Sequence, residues 1–284
     1  MPLTTLEAHA LCLTIVSLDI VGRAIRLRWY TRGLGAELSL ADAVTATAWG
    51  DAAAGLTPLR FGGEAAKFAG LLRGKLRPAT ALLALGLEAL VTYPLVFAFG
   101  IWLAWRFAPS WWDEVAPLLR ETSASAWPWL VALLLMGVLG GWAYLRWKRS
   151  RDAEASPHPG VREALGQVPR WVIAAGVPLS LYNIVGRTLV LPLLASTLPG
   201  HPAFGVMLLG SFALLYSQLL LPMPAGAGAV DFGFMAGMAG NLGSGAGGLL
   251  LAWRFYTVGL GAALGAVLAL HAFGWAALRR LVRN

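Results

Sequence analysis

Long apolar segments separated by short polar ones dominate the hydropathy pattern of this chain. Some of these segments are long enough to cross a membrane, since a spanning helix needs about 20 apolar residues. Each must be helical within lipid, because no water is present there to satisfy backbone hydrogen bonds. We predict full spans at about 8–29, 79–105, 127–146, 171–194 and 247–273.

Two further segments are interrupted by proline and glycine, and we predict that both are re-entrant hairpins. Residues 39–57 lead into "TPLRFGGEAAK", and residues 204–221 lead into "LPMPAGAGAVD". Proline and clustered glycine break a continuous helix. At membrane depth such irregular backbone is tolerated only where it is buried in protein or lines water. Each segment should therefore enter as a helix, break at its tip and return to the same side as a second short helix.

Composition supports a membrane protein. Hydrophobic residues make up 58% of the chain and charged residues 13%, with a mean hydropathy of +0.67. A soluble domain has about 25% charged residues. We predict an all-α polytopic membrane protein, with residues 1–284 forming one transmembrane domain.

The net charge of +8 does not indicate nucleic-acid binding, because the basic residues cluster at the ends of apolar segments. With both hairpins returning to their own side, one face receives the loop 146–170, the tail "RRLVRN" and six further basic residues: Arg26, Arg28, Arg32, Arg73, Lys75 and Arg77. Basic loops stay in the cytoplasm. The amino terminus is therefore predicted outside and the carboxyl terminus in the cytoplasm.

Several chemistries are not indicated. Cys12 is the only cysteine and the four histidines are scattered, so neither an intrachain disulfide nor a metal site is expected. The chain shows no P-loop, no secretory signal peptide and no convincing nucleophile–base pair. We expect no cofactor and no enzymatic activity.

The tetrapeptide IVGR occurs at 20–23 and again at 184–187, an offset of 164 positions. The same offset aligns Asp19 with Asn183 and Pro58 with Pro222. Chance matches are the alternative, because Leu, Ala and Gly are abundant in this chain.

As a repeat, the pattern predicts two units, at about 13–105 and 177–270, separated by a connector (106–170) with a single span. An odd number of connecting spans inverts the second unit. Inverted repeats with broken helices near the midplane are typical of transporters.

Ten charged residues fall inside the predicted membrane segments, where each costs about 2.5–3.5 kcal/mol on insertion scales. Each could belong to a buried ion pair that only fixes helix register. Ten in so small a bundle favour a polar cavity. These residues are Asp19, Arg23, Asp51, Arg60, Glu64, Lys67, Glu88, Arg187, Asp231 and Arg254.

Glycines at both hairpin tips precede the returning helices: Gly62, Gly63, Gly226 and Gly228. A helix amino terminus with accessible N–H groups is a natural anion site, which predicts phosphate binding. Close helix packing is the alternative role of such glycines.

These motifs resemble a known family. The segments "RAIRLRWYTRGLGAELSLADAV", "TPLRFGGEAAK", "LEALVTYP", "LPMPAGAGAVD" and "WRFYTVGLGAALG" are similar to the flippase-like transmembrane domain of bacterial lysylphosphatidylglycerol synthases, which also occurs as stand-alone proteins. Lys67 stands where arginine is usual, and Asp231 where glutamate is usual. The positions carried over are Pro58, Arg60, Gly62, Gly63, Glu64, Lys67, Glu88, Pro222, Gly226, Gly228, Asp231 and Arg254.

The resemblance implies translocation of a lipid across the bacterial inner membrane. The expected partner is an anionic phospholipid or a polyprenyl phosphate, whose headgroup would enter a polar cavity between the hairpins. Arg60, Lys67, Arg187 and Arg254 would neutralise its phosphate. Three alternatives stay open: a transporter of small solutes or ions, a lipid-modifying enzyme, and a membrane partner of a separate enzyme that docks on loop 146–170.

Overall fold

The chain folds into packed helices. The structure, a computed structural model, describes residues 3–108, 166, 168–219, 224–243 and 245–283, and these residues form helices and no strand. The first half contains α1 (Thr5–Gly33), α2 (Leu40–Leu56), α3 (Phe61–Arg73) and α4 (Pro78–Phe107). A single 3-10 turn, Pro58–Arg60, joins α2 to α3.

The second half repeats the sequence of long helix, shorter helix and broken tip. It contains α5 (Arg170–Ala195), α6 (Phe204–Ser217), α7 (Ala229–Leu242), α8 (Gly245–Arg254) and α9 (Leu260–Arg283). The 3-10 turn Pro224–Gly226 precedes α7, and a π-helical turn, Phe255–Gly259, joins α8 to α9.

Three helical segments have the length and composition of membrane spans: Pro78–Phe107, Arg170–Ala195 and Gly245–Gly274. They coincide with the predicted spans at 79–105, 171–194 and 247–273. Helix α1 covers the predicted span 8–29 as one helix of 29 residues, with charged residues buried along it. The predicted span 127–146 and Pro222 lie outside the described residues, as does nearly all of loop 146–170.

Helix boundaries follow local capping chemistry. Thr4 caps α1 through a capping box, in which its hydroxyl accepts from the Glu7 N–H at 3.3 Å and its own N–H donates to the Glu7 carboxylate at 2.8 Å. The Thr4 backbone N–H, followed by the Thr4 hydroxyl, lowers the pKa of the exposed Glu7 carboxyl. The Ser39 hydroxyl caps α2 by accepting from the Asp42 N–H at 3.0 Å, and Pro78 occupies the first turn of α4, where its missing N–H has no cost.

Small residues let α2 and α3 pack closely in antiparallel directions. A Cβ atom at Gly70 would lie 2.6 Å from the Cα of Ala46, and one at Gly63 would lie 2.9 Å from the Cβ of Ala54. Since ordinary van der Waals contact starts near 3.5 Å, neither site has room for a side chain. The pair forms a tight helical hairpin whose tip is the Pro58–Arg60 turn.

Both tips are left-handed, and they contact each other. The positive φ angles are 51° and 59° at Leu59 and Arg60, and 48° and 65° at Ala225 and Gly226. The two left-handed pairs are thus 166 positions apart, an offset that joins Pro58 to Pro224. The ungapped offset of 164 holds at the IVGR motifs and slips by two residues before the second tip.

Helix α1 connects two apolar clusters. Its amino-terminal half, with Cys12 and Val16, packs against α5, α7 and α8, whereas Leu27 and Tyr30 pack with α2, α3 and α4. Asp19, Arg23 and Arg26 lie on α1 around the junction of the two clusters and are buried. The charged groups on α1 therefore lie between the two apolar clusters.

The outward face of α4 is strongly apolar. Leu82, Leu90, Phe97 and Trp105 recur along it at intervals of seven or eight residues, and the last three are 67–69% exposed. Soluble proteins rarely present such a continuous apolar stripe to water. This face has the composition expected of a surface in contact with lipid tails.

Candidate functional site

The two IVGR arginines meet in one ion-pair network. Arg23 on α1 donates to both oxygens of Asp51 on α2, at 2.8 and 2.6 Å. Arg187 on α5 donates through Nε to Asp19 at 2.9 Å, and its Nη2 lies 3.5 Å from Asp51. Arg23 Nε lies 3.2 Å from Asp19. Each arginine thus contacts both aspartates, and we name these four residues the charge quartet.

Asn183 on α5 also binds the quartet. Its amide nitrogen donates to Asp19 at 2.6 Å, and Asn183 is the residue that the 164-residue offset aligns with Asp19. Two positions that this offset aligns, one on α1 and one on α5, therefore bind each other directly. The buried carboxylates have the hydrogen bonds that offset their desolvation.

A second network surrounds Glu88 on α4. Arg26 donates to Glu88 Oε1 at 2.6 Å, and the Lys67 ammonium donates to Oε2 at 3.2 Å and to Glu64 at 3.0 Å. Ser180 on α5 accepts from Arg26 at 2.5 Å. Gly50 leaves space for the Lys67 stem, since a Cβ there would lie 2.6 Å from Lys67 Cγ.

Arg60 at the first tip is bound differently. Its Nη1 donates to Gln218 Oε1 at 3.0 Å, which links the first tip to the end of α6. Gln218 is buried. Within the described ranges no carboxylate lies within 4 Å of the Arg60 guanidinium. Arg60 therefore keeps charge that a bound anion could neutralise.

These groups line a polar cavity of about 450 Å³. A volume of this order holds a small ligand or a lipid headgroup. Its described wall includes five cationic and three anionic side chains, which leaves two net positive charges: Arg23, Arg26, Arg60, Lys67 and Arg187 against Asp51, Glu64 and Glu88. Asp19 lies behind the wall, bonded to Arg23 and Arg187.

The predicted residues of the second tip have another position. Arg254 donates to Asp231 at 2.8 Å and to the Ala225 carbonyl at 2.7 Å, while the Asp231 carboxylate accepts from the Gly228 N–H at 3.0 Å. Together these bonds tie α8 to the second tip, and we name Asp231 and Arg254 the tip clamp. Neither they nor Gly226 and Gly228 line the cavity.

Two of the tip glycines have their N–H groups bonded within the protein. The Gly62 N–H donates to the Thr57 hydroxyl at 2.9 Å, just as the Gly228 N–H donates to Asp231. These two amides are therefore occupied, contrary to the expectation that they would hold phosphate. Gly63 lines the cavity, where its lack of a side chain allows α3 to approach α2. Positive charge in the cavity comes from side chains.

Sequence reasoning missed three contributors. Arg26 was assigned to the basic segment that sets topology, although it follows Arg23 by three residues and so shares its face of α1. Gln218 is uncharged, and Gly50 lies in a segment of many small residues, so neither is distinguished by the sequence pattern. No group of three or more potential metal ligands occurs in the part of the chain that the structure describes.

Comparison with known proteins identifies the family. The family model of the lysylphosphatidylglycerol synthase TM region matches residues 3–283, nearly the entire chain. No match was found among curated proteins or among solved structures. The apolar helical spans and this match agree on a multi-pass membrane protein with a lipid-related role. The chain belongs to the lysylphosphatidylglycerol synthase transmembrane-region family.

Proposed function

We propose that this protein is a flippase or scramblase of the bacterial inner membrane, which moves an anionic phospholipid or a polyprenyl phosphate between leaflets. The lipid phosphate enters the polar cavity while the tails remain in the bilayer. The observation that carries the proposal is the positive charge of the cavity, with Arg60 lacking a carboxylate partner within the described residues. A phosphate would gain charge-assisted hydrogen bonds there.

The membrane arrangement in this proposal is an inverted repeat of two spans and a re-entrant hairpin. Support comes from the contact between the two broken tips and from the convergence of both IVGR arginines on Asp19 and Asp51. Exchange of the two halves between equivalent conformations would open the cavity first to one leaflet and then to the other. The amino terminus lies outside and the carboxyl terminus in the cytoplasm.

Phosphate would enter by competing with the acidic residues for their cationic partners. Glu64 bonds Lys67 while its own side chain is 61% exposed, so this pair is the one most readily opened. Lys67 would then be shared between Glu88 and the phosphate. Arg60 and Arg187 would complete a cationic wall around the headgroup, with Asp51 as counter-charge.

The direct test is lipid translocation in proteoliposomes. We expect the wild type to expose fluorescent phosphatidylglycerol or fluorescent polyprenyl phosphate from the inner leaflet to a membrane-impermeant quencher. Arg60→Gln should slow this exposure by about tenfold or more, because a hydrogen bond to a charged group contributes about 1.5–3 kcal/mol and 1.4 kcal/mol corresponds to tenfold.

Arg77→Gln is the matched control, since Arg77 is exposed and does not line the cavity. It should keep the wild-type rate. Equal rates for Arg60→Gln and wild type, or no rate above empty liposomes with either lipid, would contradict the proposal. Uptake of radiolabelled glycerol phosphate without lipid exposure would instead indicate a solute transporter.

A further inference from the structure

A second cavity lies beside the polar one, between α4 and α6. It is a groove of about 490 Å³ whose described wall carries no charged side chain. Its lining is Tyr93, Val96, Phe97, Gly100, Ile101, Ala104, Phe212, Ala213, Tyr216, Ser217 and Leu219. Such a surface binds hydrocarbon and offers almost nothing to a polar ligand.

The groove and the polar cavity adjoin each other. Tyr93 and Leu219 line both of them. Gln218, which holds Arg60, immediately precedes Leu219 in the chain. A site for a charged group near Arg60 and a site for an apolar group in the groove are therefore close enough for one amphiphile to occupy both.

The length of the groove matches one leaflet. Along α4 it extends from Tyr93 to Ala104, which is about 16 Å at 1.5 Å per helical residue. This is about half of a 30 Å hydrocarbon core. A lipid tail has this reach.

The floor of the groove is shaped for a narrow occupant. Gly100 has no side chain, and the ring of Phe212 occupies the space where its Cβ would stand, at 2.7 Å. Phe212 in turn packs on Tyr216, with ring centroids 4.5 Å apart, and on Phe99 at 5.7 Å. These packed rings form a smooth wall along the side of α6.

We propose that this groove is the tail-binding half of the lipid site, and that lipid enters and leaves sideways between α4 and α6. The proposal rests on the proposed function and specifies it further: the substrate class is a phosphate-bearing lipid with a hydrocarbon tail, bound at both ends simultaneously. In the topology predicted above, the groove runs toward the outer end of α4. The conformation described here is then the one that exchanges lipid with the outer leaflet.

Photo-crosslinking tests this inference. The wild-type protein is placed in phosphatidylcholine nanodiscs with phosphatidylglycerol that carries a diazirine midway along one tail, and cross-linked residues are mapped by mass spectrometry. We expect cross-links concentrated within 96–104 and 212–217, severalfold above those of a phosphatidylcholine probe with the same tail. Equal and evenly spread labelling by both probes along the outward face of α4 would overturn the inference.

Filling the groove supplies a matched pair of variants. Ala104→Trp places an indole in the groove, whereas Ala98→Trp makes the same change at an exposed position of the same helix outside it. We expect Ala104→Trp to lower groove cross-links severalfold and Ala98→Trp to leave them unchanged. Ala213→Trp, on the α6 wall, should repeat the loss if Ala104→Trp fails to fold. Unchanged cross-links in both groove variants would overturn the inference.

Failure of this inference can be told apart from failure of the proposed function. Translocation that depends on Arg60, together with an unlabelled groove, would overturn the tail site alone. The opposite result is also informative. If the groove is labelled, if Ala104→Trp abolishes that labelling and if the protein moves no lipid, the tail site is supported and translocation is contradicted.

Discussion

At the scale of single residues, the charge quartet shows why a very apolar chain keeps the same arginine twice. Arg23 and Arg187 come from different helices, and each contacts Asp19 and Asp51. Breaking a buried ion pair by removing one partner is more costly than never having made it. The quartet therefore holds α1, α2 and α5 in one register at the depth of the cavity.

Asp51→Asn tests this role. The substitution removes the carboxylate that Arg23 binds with two hydrogen bonds and that Arg187 approaches. We expect a loss of about 3–5 kcal/mol in stability, because a buried charge loses its partner. Thermal unfolding of the detergent-purified variant measures it. Asp42→Asn, the same change near the start of the same helix, should cost about 0.5 kcal/mol, and equal shifts for both variants would contradict the assignment.

The burial of the IVGR arginines beside charged partners or a polar cavity could be anticipated from the sequence, because charges inside apolar segments are costly when unpaired. The specific partners could not. Asp19 is four residues from Arg23 on the same helix, but Asp51 is brought in by the packing of α2, which depends on Gly261. A Cβ atom at Gly261 would lie 2.7 Å from an Asp51 oxygen. Nothing local to either residue encodes that approach.

At the scale of helices and turns, the two tips differ although they come from related sequences. The first tip sends Arg60 across to Gln218, whereas the second is held to α8 by the tip clamp. The prediction from sequence treated Asp231 and Arg254 as ligands because both are charged and near glycines. In the structure they bond each other and do not line the cavity, an arrangement that only the fold of α8 against the tip could show.

A double-mutant cycle tests the tip clamp. Asp231→Asn and Arg254→Gln should each destabilise the protein by about 1–3 kcal/mol, since each leaves its partner unsatisfied. The double variant should be no worse than the more damaging single one, which corresponds to a coupling within the range of 0.5–3 kcal/mol for contacting residues. Asp231→Asn combined with Asp42→Asn should be additive within about 0.5 kcal/mol. Additive destabilisation by Asp231→Asn and Arg254→Gln would argue against the tip clamp.

The broken tips were predictable because proline and glycine mark them, but their alignment was not. "LPMPAG" offers two prolines, and an ungapped repeat selects Pro222 as the match of Pro58. The left-handed pairs at 59–60 and 225–226 are instead 166 positions apart, which joins Pro58 to Pro224. The positions of the left-handed residues therefore reveal a shift of two residues between the tips. A sequence comparison dominated by abundant small residues does not reveal it.

At the scale of the whole molecule, three spans agree with the hydropathy pattern, while α1 combines the length of a span with buried charge. Its charges are tolerated because other helices surround them. The predicted orientation in the membrane depends on the positions of the basic loops, and the side on which each loop lies can be measured. The hairpin prediction requires the residues before α2 and after α3 to lie on the same side of the membrane.

Single cysteines in a Cys12→Ala background test the orientation. Glu37→Cys and Lys75→Cys flank the first hairpin, and His201→Cys lies in the loop between α5 and α6; all three positions are exposed. A membrane-impermeant maleimide should label position 201 in intact cells and label 37 and 75 only after permeabilisation. Labelling of 75 but not 37 from outside would show that the hairpin crosses the membrane.

The charge quartet has an electrical consequence. Two arginines and two aspartates sum to zero, so a rearrangement that moves the four together carries no net charge through the membrane field. Voltage does work of about 2.3 kcal/mol per unit charge per 100 mV only on charge that is displaced. An imposed diffusion potential should therefore do no net work on the quartet itself, so any voltage dependence of translocation should come from the charge of the lipid and from the excess positive charge of the cavity wall.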